Sequence, residues 1–215
     1  MKSNPKIAII DYGVGNLHSL LKAVQNFTAN VKVTDDPEEI ASSDALILPG
    51  VGAFQAGMEG LAVRGLVDTV KNAAKSGKPI LGICLGAQIL LEKGYEFGQH
   101  IGLGLIPGKV VKFEKLAEEE KIPQVGWNRI YPRSESTLWE NTILAGLEKR
   151  NPHTYFVHSY IMVPDDDKDT LAKASYGGED FCAAVKKGNI TGTQFHPEKS
   201  GEVGLAIIKN FVDSI

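Results

Sequence analysis

The sequence predicts an α/β fold: a three-layer, doubly wound, mostly parallel sheet flanked by helices, with an additional antiparallel strand section in its second half. Three observations predict it. Over the first 95 or so residues, short strands that are apolar throughout alternate with helical segments, as in a parallel sheet covered on both faces. Beyond them come short strand candidates separated by turn residues, with no helices between. Finally, 215 residues with 43% hydrophobic and 23% charged side chains can bury a sizeable core, and no linker, repeat or low-complexity segment divides them. Residues 1–215 are therefore read as one domain.

The elements follow in order. Ile7–Ile10 is a buried strand ending at Asp11, and Tyr12-Gly-Val-Gly-Asn16 is a glycine-rich break. Leu17, Leu20, Leu21, Val24 and Phe27 then recur at helical spacing. Val31–Thr34 is a second strand, and Asp35-Asp-Pro37 a turn and helix start. Asp44–Pro49 is a third strand, stopped by Pro49-Gly-Val-Gly52, and residues 53–76 read as helical up to Gly77. Lys78–Cys84 is a fourth strand and Leu85–Lys93 a helix ended by Gly94. Leu103–Phe113, Gly126–Tyr131, Tyr155–Ile161, Thr170–Tyr176, Phe181–Lys186 and Asn189–Phe195 are the later strand candidates. A closing helix starts near Gly201, with Val203, Ile207, Phe211 and Ile215 in one stripe. Glu118–Glu120 and Asp165–Asp167 read as solvated loops.

Charge and composition exclude several function classes. With 23 basic and 26 acidic side chains the net charge is −3, without the basic excess of a nucleic-acid binder. The longest runs lacking Lys, Arg, Asp and Glu, Ala45–Met58 and Asn151–Pro164, are too short and too polar to span a membrane. The opening apolar run is too short for a signal-peptide core. Two cysteines make no disulfide framework, so a reducing, cytoplasmic setting is expected.

The chemistry concentrates at Gly82-Ile-Cys-Leu-Gly86, the cysteine counterpart of the Gly-x-Ser-x-Gly nucleophile elbow. A sharp strand-to-helix turn brings backbone close on both sides, where side chains would clash, so glycine flanks the nucleophile. At an ordinary thiol pKa only about 3% is ionised at neutral pH, so a helix N-terminus at Cys84 would help. Cys182 reads as an ordinary core cysteine. A nucleophilic cysteine needs a base and a group to orient it. His196, in Gln194-Phe-His-Pro-Glu198, follows an apolar strand, and in an extended segment Glu198 would project to the same side. His158 reads as a satisfied histidine on a partly buried strand, and His18 could sit near a pocket but has no evident partner. Pro49-Gly-Val-Gly-Ala-Phe54 could present backbone N–H donors to an oxyanion. No metal-ligand spacing occurs. Gly13-Val-Gly-Asn16 lacks the third glycine of a dinucleotide turn, where His18 stands.

Together, Gly82–Gln88, Pro49–Phe54 and Gln194–Glu198 resemble the triad-type, class I glutamine amidotransferases, over essentially the whole chain. Asp11–Asn16, Val125-Gly-Trp-Asn128, Tyr155–Tyr160 and His196-Pro-Glu-Lys-Ser200 are similar to the glutaminase subunits of imidazole glycerol phosphate synthases, which serve histidine biosynthesis. The resemblance implies hydrolysis of L-glutamine to glutamate and ammonia without a cofactor. It implies Cys84 as nucleophile, His196 as proton shuttle and Glu198 as its orienter. Backbone N–H groups of Leu85 and of the Gly50–Val51–Gly52 loop would meet the oxyanion, and Gln88 would help hold glutamine. It also implies a heterodimer with a (β/α)8 cyclase subunit, to which ammonia is channelled to make imidazole glycerol phosphate and aminoimidazole carboxamide ribotide. The Pro49–Gly52 loop is expected to rest with a donor turned away from the oxyanion. Gln124 departs from the family, in which His is frequent, at a stretch expected near the partner. The alternative is a paralogous glutaminase feeding a different synthase, such as one aminating a surface sugar.

Overall fold

The computed structural model describes residues 4–114, 116–117, 120–134 and 139–215. Glu118 and Glu119, two of the three acidic residues read as a solvated loop, lie outside the described residues. In chain order the elements are β1 (Ile7–Ile10), α1 (Leu17–Gln25), β2 (Val31–Thr34), α2 (Pro37–Ser42), β3 (Ala45–Leu48), α3 (Phe54–Val63) and α4 (Leu66–Lys75). Then come β4 (Ile80–Ile83), α5 (Leu85–Gln88), β5 (Leu91–Gly94), β6 (His100–Ile101), β7 (Ile106–Lys112), β8 (Gln124–Arg129) and β9 (Tyr131–Pro132). The chain finishes with β10 (His153–His158), β11 (Tyr160–Pro164), β12 (Thr170–Tyr176), β13 (Glu179–Lys187), β14 (Ile190–Thr193) and α6 (Gly201–Asp213).

One mixed sheet runs β2-β1-β3-β4-β14-β13-β11-β7-β5-β6. Its first five strands are parallel, and from β14 through β7 neighbours are antiparallel. Consecutive residues of a buried strand point to opposite faces, and the sequences of β1, β3 and β4 are apolar at every position for that reason. Ile7 and Ile9 enter one core layer with Leu20, Val24, Ile207 and Phe211, while Ala8 and Ile10 enter the other with Leu61, Leu66 and Val70. Helices α1 and α6 thus cover one face and α3 and α4 the other. This is the expected three-layer architecture with antiparallel strands added. A separate two-stranded ribbon pairs β10 with β8, with His158 opposite Gln124. No helix among the described residues is long and apolar enough to cross a membrane.

Three expectations are corrected. The helix expected over 53–76 is two helices, because Gly65 takes a left-handed conformation at φ 67° between them. Residues 85–93 are not one helix: α5 ends at Gln88 and Leu91–Gly94 is a strand. Ile89, Leu90 and Leu91 are all fully buried, which a one-sided helix face cannot achieve. The carbonyls of Ile89 and Leu90 instead accept from Leu103, Leu105 and Ile106. The strand expected over Tyr155–Ile161 is also two, broken at Ser159, with β10 in the ribbon and β11 in the main sheet.

A Cβ on Gly86 would stand 1.7 Å from the Leu48 carbonyl oxygen, whereas one on Gly188, at φ +57°, would meet nothing within 4 Å. Gly86→Ala should therefore destabilise by about 3 kcal/mol or more. Gly188→Ala should cost only the left-handed backbone term, about 1–2 kcal/mol. Denaturant unfolding of both variants checks this, and equal losses would contradict it.

Candidate active site

β4 delivers Cys84 at the start of α5 with φ 54° and ψ −111°, a conformation non-glycine residues rarely adopt. The close packing that sets it is visible on either side. A Cβ on Gly82 would lie 2.8 Å from Ala87 Cα and from the Gly86 carbonyl oxygen, and Gly86 presses on Leu48. The Cys84 N–H donates to the Thr193 carbonyl at 2.7 Å, tying the elbow to the end of β14.

β14 lies beside β4, with Thr193 opposite Ile83, so the residues after both strands emerge together. This neighbourhood brings His196 to Cys84 across the intervening sequence. The His196 main chain is clamped: its N–H donates to the Tyr155 carbonyl at 2.9 Å, and its carbonyl accepts from Ser200 Oγ at 2.6 Å. Nδ1 pairs with Glu198 Oε1 at 2.8 Å, both side chains almost wholly buried. The pairing differs in origin from the expected extended segment. Pro197–Lys199 is a 3-10 turn, which folds the Glu198 carboxylate back onto the ring.

Burial disfavours the imidazolium of His196, but the neighbouring Cys84 sulfur and the Glu198 carboxylate outweigh it, and the pKa is pushed up to about 9. Nε2 is buried and has no hydrogen-bond partner among the described residues. Gln194 Nε2 lies 3.9 Å from the same sulfur.

A cavity of about 430 Å³ opens onto Cys84, walled by Val51, Gly52, Ala53, Leu85, Gln88, Glu96, Pro123 and Val157–Tyr160. Of the residues singled out in the sequence, Cys84, Val51, Gly52, Leu85 and Gln88 line it; Gly50, His196 and Glu198 are not on its wall. The Leu85 N–H, expected as an oxyanion donor, is engaged in this structure by the Gly50 carbonyl at 3.3 Å. Gln88 Nε2 donates to the Tyr160 carbonyl and to Gln194 Oε1, each at 3.0 Å. His18 is exposed and away from the cavity. Cys182 is buried in the sheet and burial pushes its thiol up to about 12.

His158, read as a satisfied strand histidine, is only half so. Nδ1 bonds the Tyr160 carbonyl at 2.9 Å, while the buried Nε2 has no partner among the described residues, and the residue lines the cavity. Burial pushes its pKa down to about 4, so it is neutral at pH 7. Glu96, Ser159 and Tyr160 are wall residues that the sequence reading missed. Ser159 and Tyr160 fall in a motif already noted, but nothing in Gly94–Gly98 signals Glu96. Its Oε2 accepts the Phe54 N–H at 2.8 Å, joining the start of α3 to the cavity.

A strained cysteine elbow beside a buried His–Glu pair, on a doubly wound sheet, is the kind of arrangement that cysteine acyl-transfer chemistry needs. Residues 8–215 match the family described as glutamine amidotransferase class-I, and the chain belongs to that family. It is 49% identical over 209 residues to the imidazole glycerol phosphate synthase subunit HisH 1 of Legionella pneumophila strain Lens, covering 96% of this chain and 98% of that protein. It is 46% identical over 211 residues to the HisH subunit of Syntrophotalea carbinolica, covering 96% and 99%. The fold is shared with the solved structure of PurLQS from Thermotoga maritima, at TM-score 0.72 and 20% identity over 98% of both chains. A Trypanosoma brucei CTPS glutaminase domain superposes at TM-score 0.64 and 13% identity, over 98% of this chain and 94% of that one.

The two cavity-region histidines should move stability with pH in opposite senses. His196 has a raised pKa, so its contribution is present below its ordinary 6.5 and is lost as pH rises through about 9. His158 has a depressed pKa, so its contribution is present above 6.5 and is lost as pH falls through about 4. The stability difference between wild type and His196→Asn should shrink on the alkaline side, and that for His158→Asn on the acid side. pH-resolved denaturant unfolding measures both, and a flat difference for either variant would contradict its assignment.

Proposed function

We propose that this chain is the glutaminase subunit of an imidazole glycerol phosphate synthase. The observation that carries the chemistry is the placement of Cys84, at positive φ on the elbow, beside the His196–Glu198 pair. The Cys84 sulfur attacks the side-chain amide carbon of L-glutamine, and its proton passes through His196 to the departing nitrogen, which leaves as ammonia. Water then attacks the γ-glutamyl thioester, with His196 taking its proton, to release glutamate and restore the thiol. Glu198 holds the imidazole with Nε2 towards the sulfur.

The cavity supports glutamine in particular. The Glu96 carboxylate on its wall complements an α-ammonium group. With the Gln88 nitrogen bonded to protein acceptors, its carbonyl oxygen is the atom left to receive a substrate N–H. Backbone N–H groups of Leu85 and the Gly50–Val51–Gly52 loop meet the oxyanion once the Gly50 carbonyl moves off Leu85.

The partner is a (β/α)8 cyclase that receives the ammonia and makes imidazole glycerol phosphate and aminoimidazole carboxamide ribotide. The likeness to the HisH subunits over nearly the full length of both chains supports this pathway. Exposed apolar side chains support a docked protein: Val125 and Trp127 on the outer face of the ribbon are 58% and 57% exposed, and Ile122 and the cavity-wall Val51 are exposed as well. The pair acts in the cytoplasm.

In the presence of the cyclase, Cys84→Ala should abolish product formation from glutamine and leave that from ammonium salt intact, while Cys182→Ala should spare both. Survival of the glutamine reaction in Cys84→Ala would remove the nucleophile assignment. Glu198→Gln should lower kcat by roughly 10²-fold or more. Glu96→Gln, which keeps an acceptor for the Phe54 N–H, should raise KM for glutamine with a smaller change in kcat. Steady-state kinetics that put the Glu96 effect entirely in kcat would refute its place in substrate binding.

A further inference from the structure

The motif Asp11–Asn16 has no part in the chemistry above, yet its Tyr12 is fully buried immediately after β1. The Tyr12 hydroxyl donates to the carbonyl of Pro49, the first residue of the oxyanion loop. Its own main chain is pinned from outside. The Arg64 guanidinium donates to the Tyr12 carbonyl at 3.2 Å, and α3 passes so closely that a Cβ on Gly60 would lie 2.2 Å from that oxygen. The loop sits directly on the ring's tip, since a Cβ on Gly50 would stand 2.4 Å from the hydroxyl. A Cβ on Gly15 of the same motif would stand 3.5 Å from the Gly50 main chain. In this seating the Gly50 carbonyl accepts the Leu85 N–H.

We propose that Tyr12 is a positioning residue, a latch that holds the Pro49–Gly52 loop against the nucleophile elbow with the Gly50 carbonyl covering the Leu85 N–H, and so restrains glutamine hydrolysis until the partner reorganises the loop. The latch rests on the glutaminase reading for its substrate, but its structural half stands on the contacts alone. A hydroxyl anchored to a pinned backbone cannot follow the loop, so the Pro49 carbonyl must part from it, or the ring must shift, before the loop as a unit moves off Leu85. Burial, with the Cys84 sulfur nearby, raises the Tyr12 pKa well above the usual tyrosine range and keeps the hydroxyl a donor at every working pH. A donor that never ionises suits a latch opened by contact rather than by acid or base.

The test compares the full-length wild type with Tyr12→Phe and with Ser43→Ala. The latter removes another buried hydroxyl-to-carbonyl bond, Ser43 to Ile40 at 2.7 Å, remote from the cavity. Without the partner, Tyr12→Phe should hydrolyse glutamine about fivefold faster, the change falling in kcat with KM nearly constant. Stimulation by the cyclase should fall by the same factor, and Ser43→Ala should behave as wild type. Amide hydrogen exchange supplies an arm that needs no substrate: peptides covering Gly50–Ala53 and Leu85 should exchange faster in Tyr12→Phe and not in Ser43→Ala. Unchanged exchange, or a lower partner-free turnover, overturns the latch. Faster exchange with no glutamine turnover by either protein, cyclase present, leaves the latch standing and removes the glutaminase reading instead.

Discussion

The site depends on one backbone constraint: Cys84 held at φ 54° and ψ −111° where β4 turns into α5. That conformation costs of the order of 1–3 kcal/mol and persists only when its surroundings overdetermine it. Here they do. Gly82 and Gly86 let the chain fold onto Ala87 and Leu48 at distances no side chain would permit, and the Cys84 N–H is fastened to β14. The turn is tight because the parallel sheet on one side and the Pro49–Gly52 loop on the other leave no room for a looser one. Its consequence is chemical: the sulfur faces a cavity from the end of a strand while its neighbours remain core.

Sheet order then brings His196 to Cys84. β4 and β14 are far apart in sequence and adjacent in the sheet, so the loops after them meet at the same end, where open parallel sheets place their ligand crevices. A proline-started turn after His196 returns Glu198 to the ring. Burial of that pair makes each partner matter more, because there is little water to screen or replace it. The raised pKa of His196, beside the Cys84 sulfur and the Glu198 carboxylate, and the lowered one of His158 show how differently charged neighbours and burial in an aromatic box act. Rings of Phe113, Phe156 and Phe181 surround His158 at 5.1–5.6 Å and offer it no charge.

Much of this was legible in the chain. Apolar runs such as Ile7–Ile10 and Ile80–Ile83 announce buried parallel strands, and a cysteine between two glycines at a strand's end announces an elbow. What escaped was set by contacts between distant segments. Ile89–Leu91 has the composition of a helix interior, and only pairing with His100–Ile101 on one side and with β7, from Ile106 to Val110, on the other makes Leu91–Gly94 a strand. The break at Gly65 is hidden because the helix formers Arg64 and Leu66 stand on either side of it. Glu96 sits in a stretch without pattern, and its role on the cavity wall arises from the approach of the α3 N-terminus. For His196 and Glu198 the pairing was anticipated on the wrong geometry, an extended segment rather than a turn. Tyr12 carried no chemical signal, since an anchoring hydroxyl is indistinguishable in sequence from any strand-end tyrosine.

The claim at the centre is that one sulfur of two is the reacting atom, and covalent trapping reads it most directly. The protein is incubated with an electrophilic glutamine analogue, in the presence of the proposed cyclase partner, and the adduct is located by peptide mass spectrometry. The account predicts a single modification, on the peptide containing Cys84, prevented by excess glutamine. An adduct on Cys182, or labelling of Cys84 that glutamine does not protect, would contradict it.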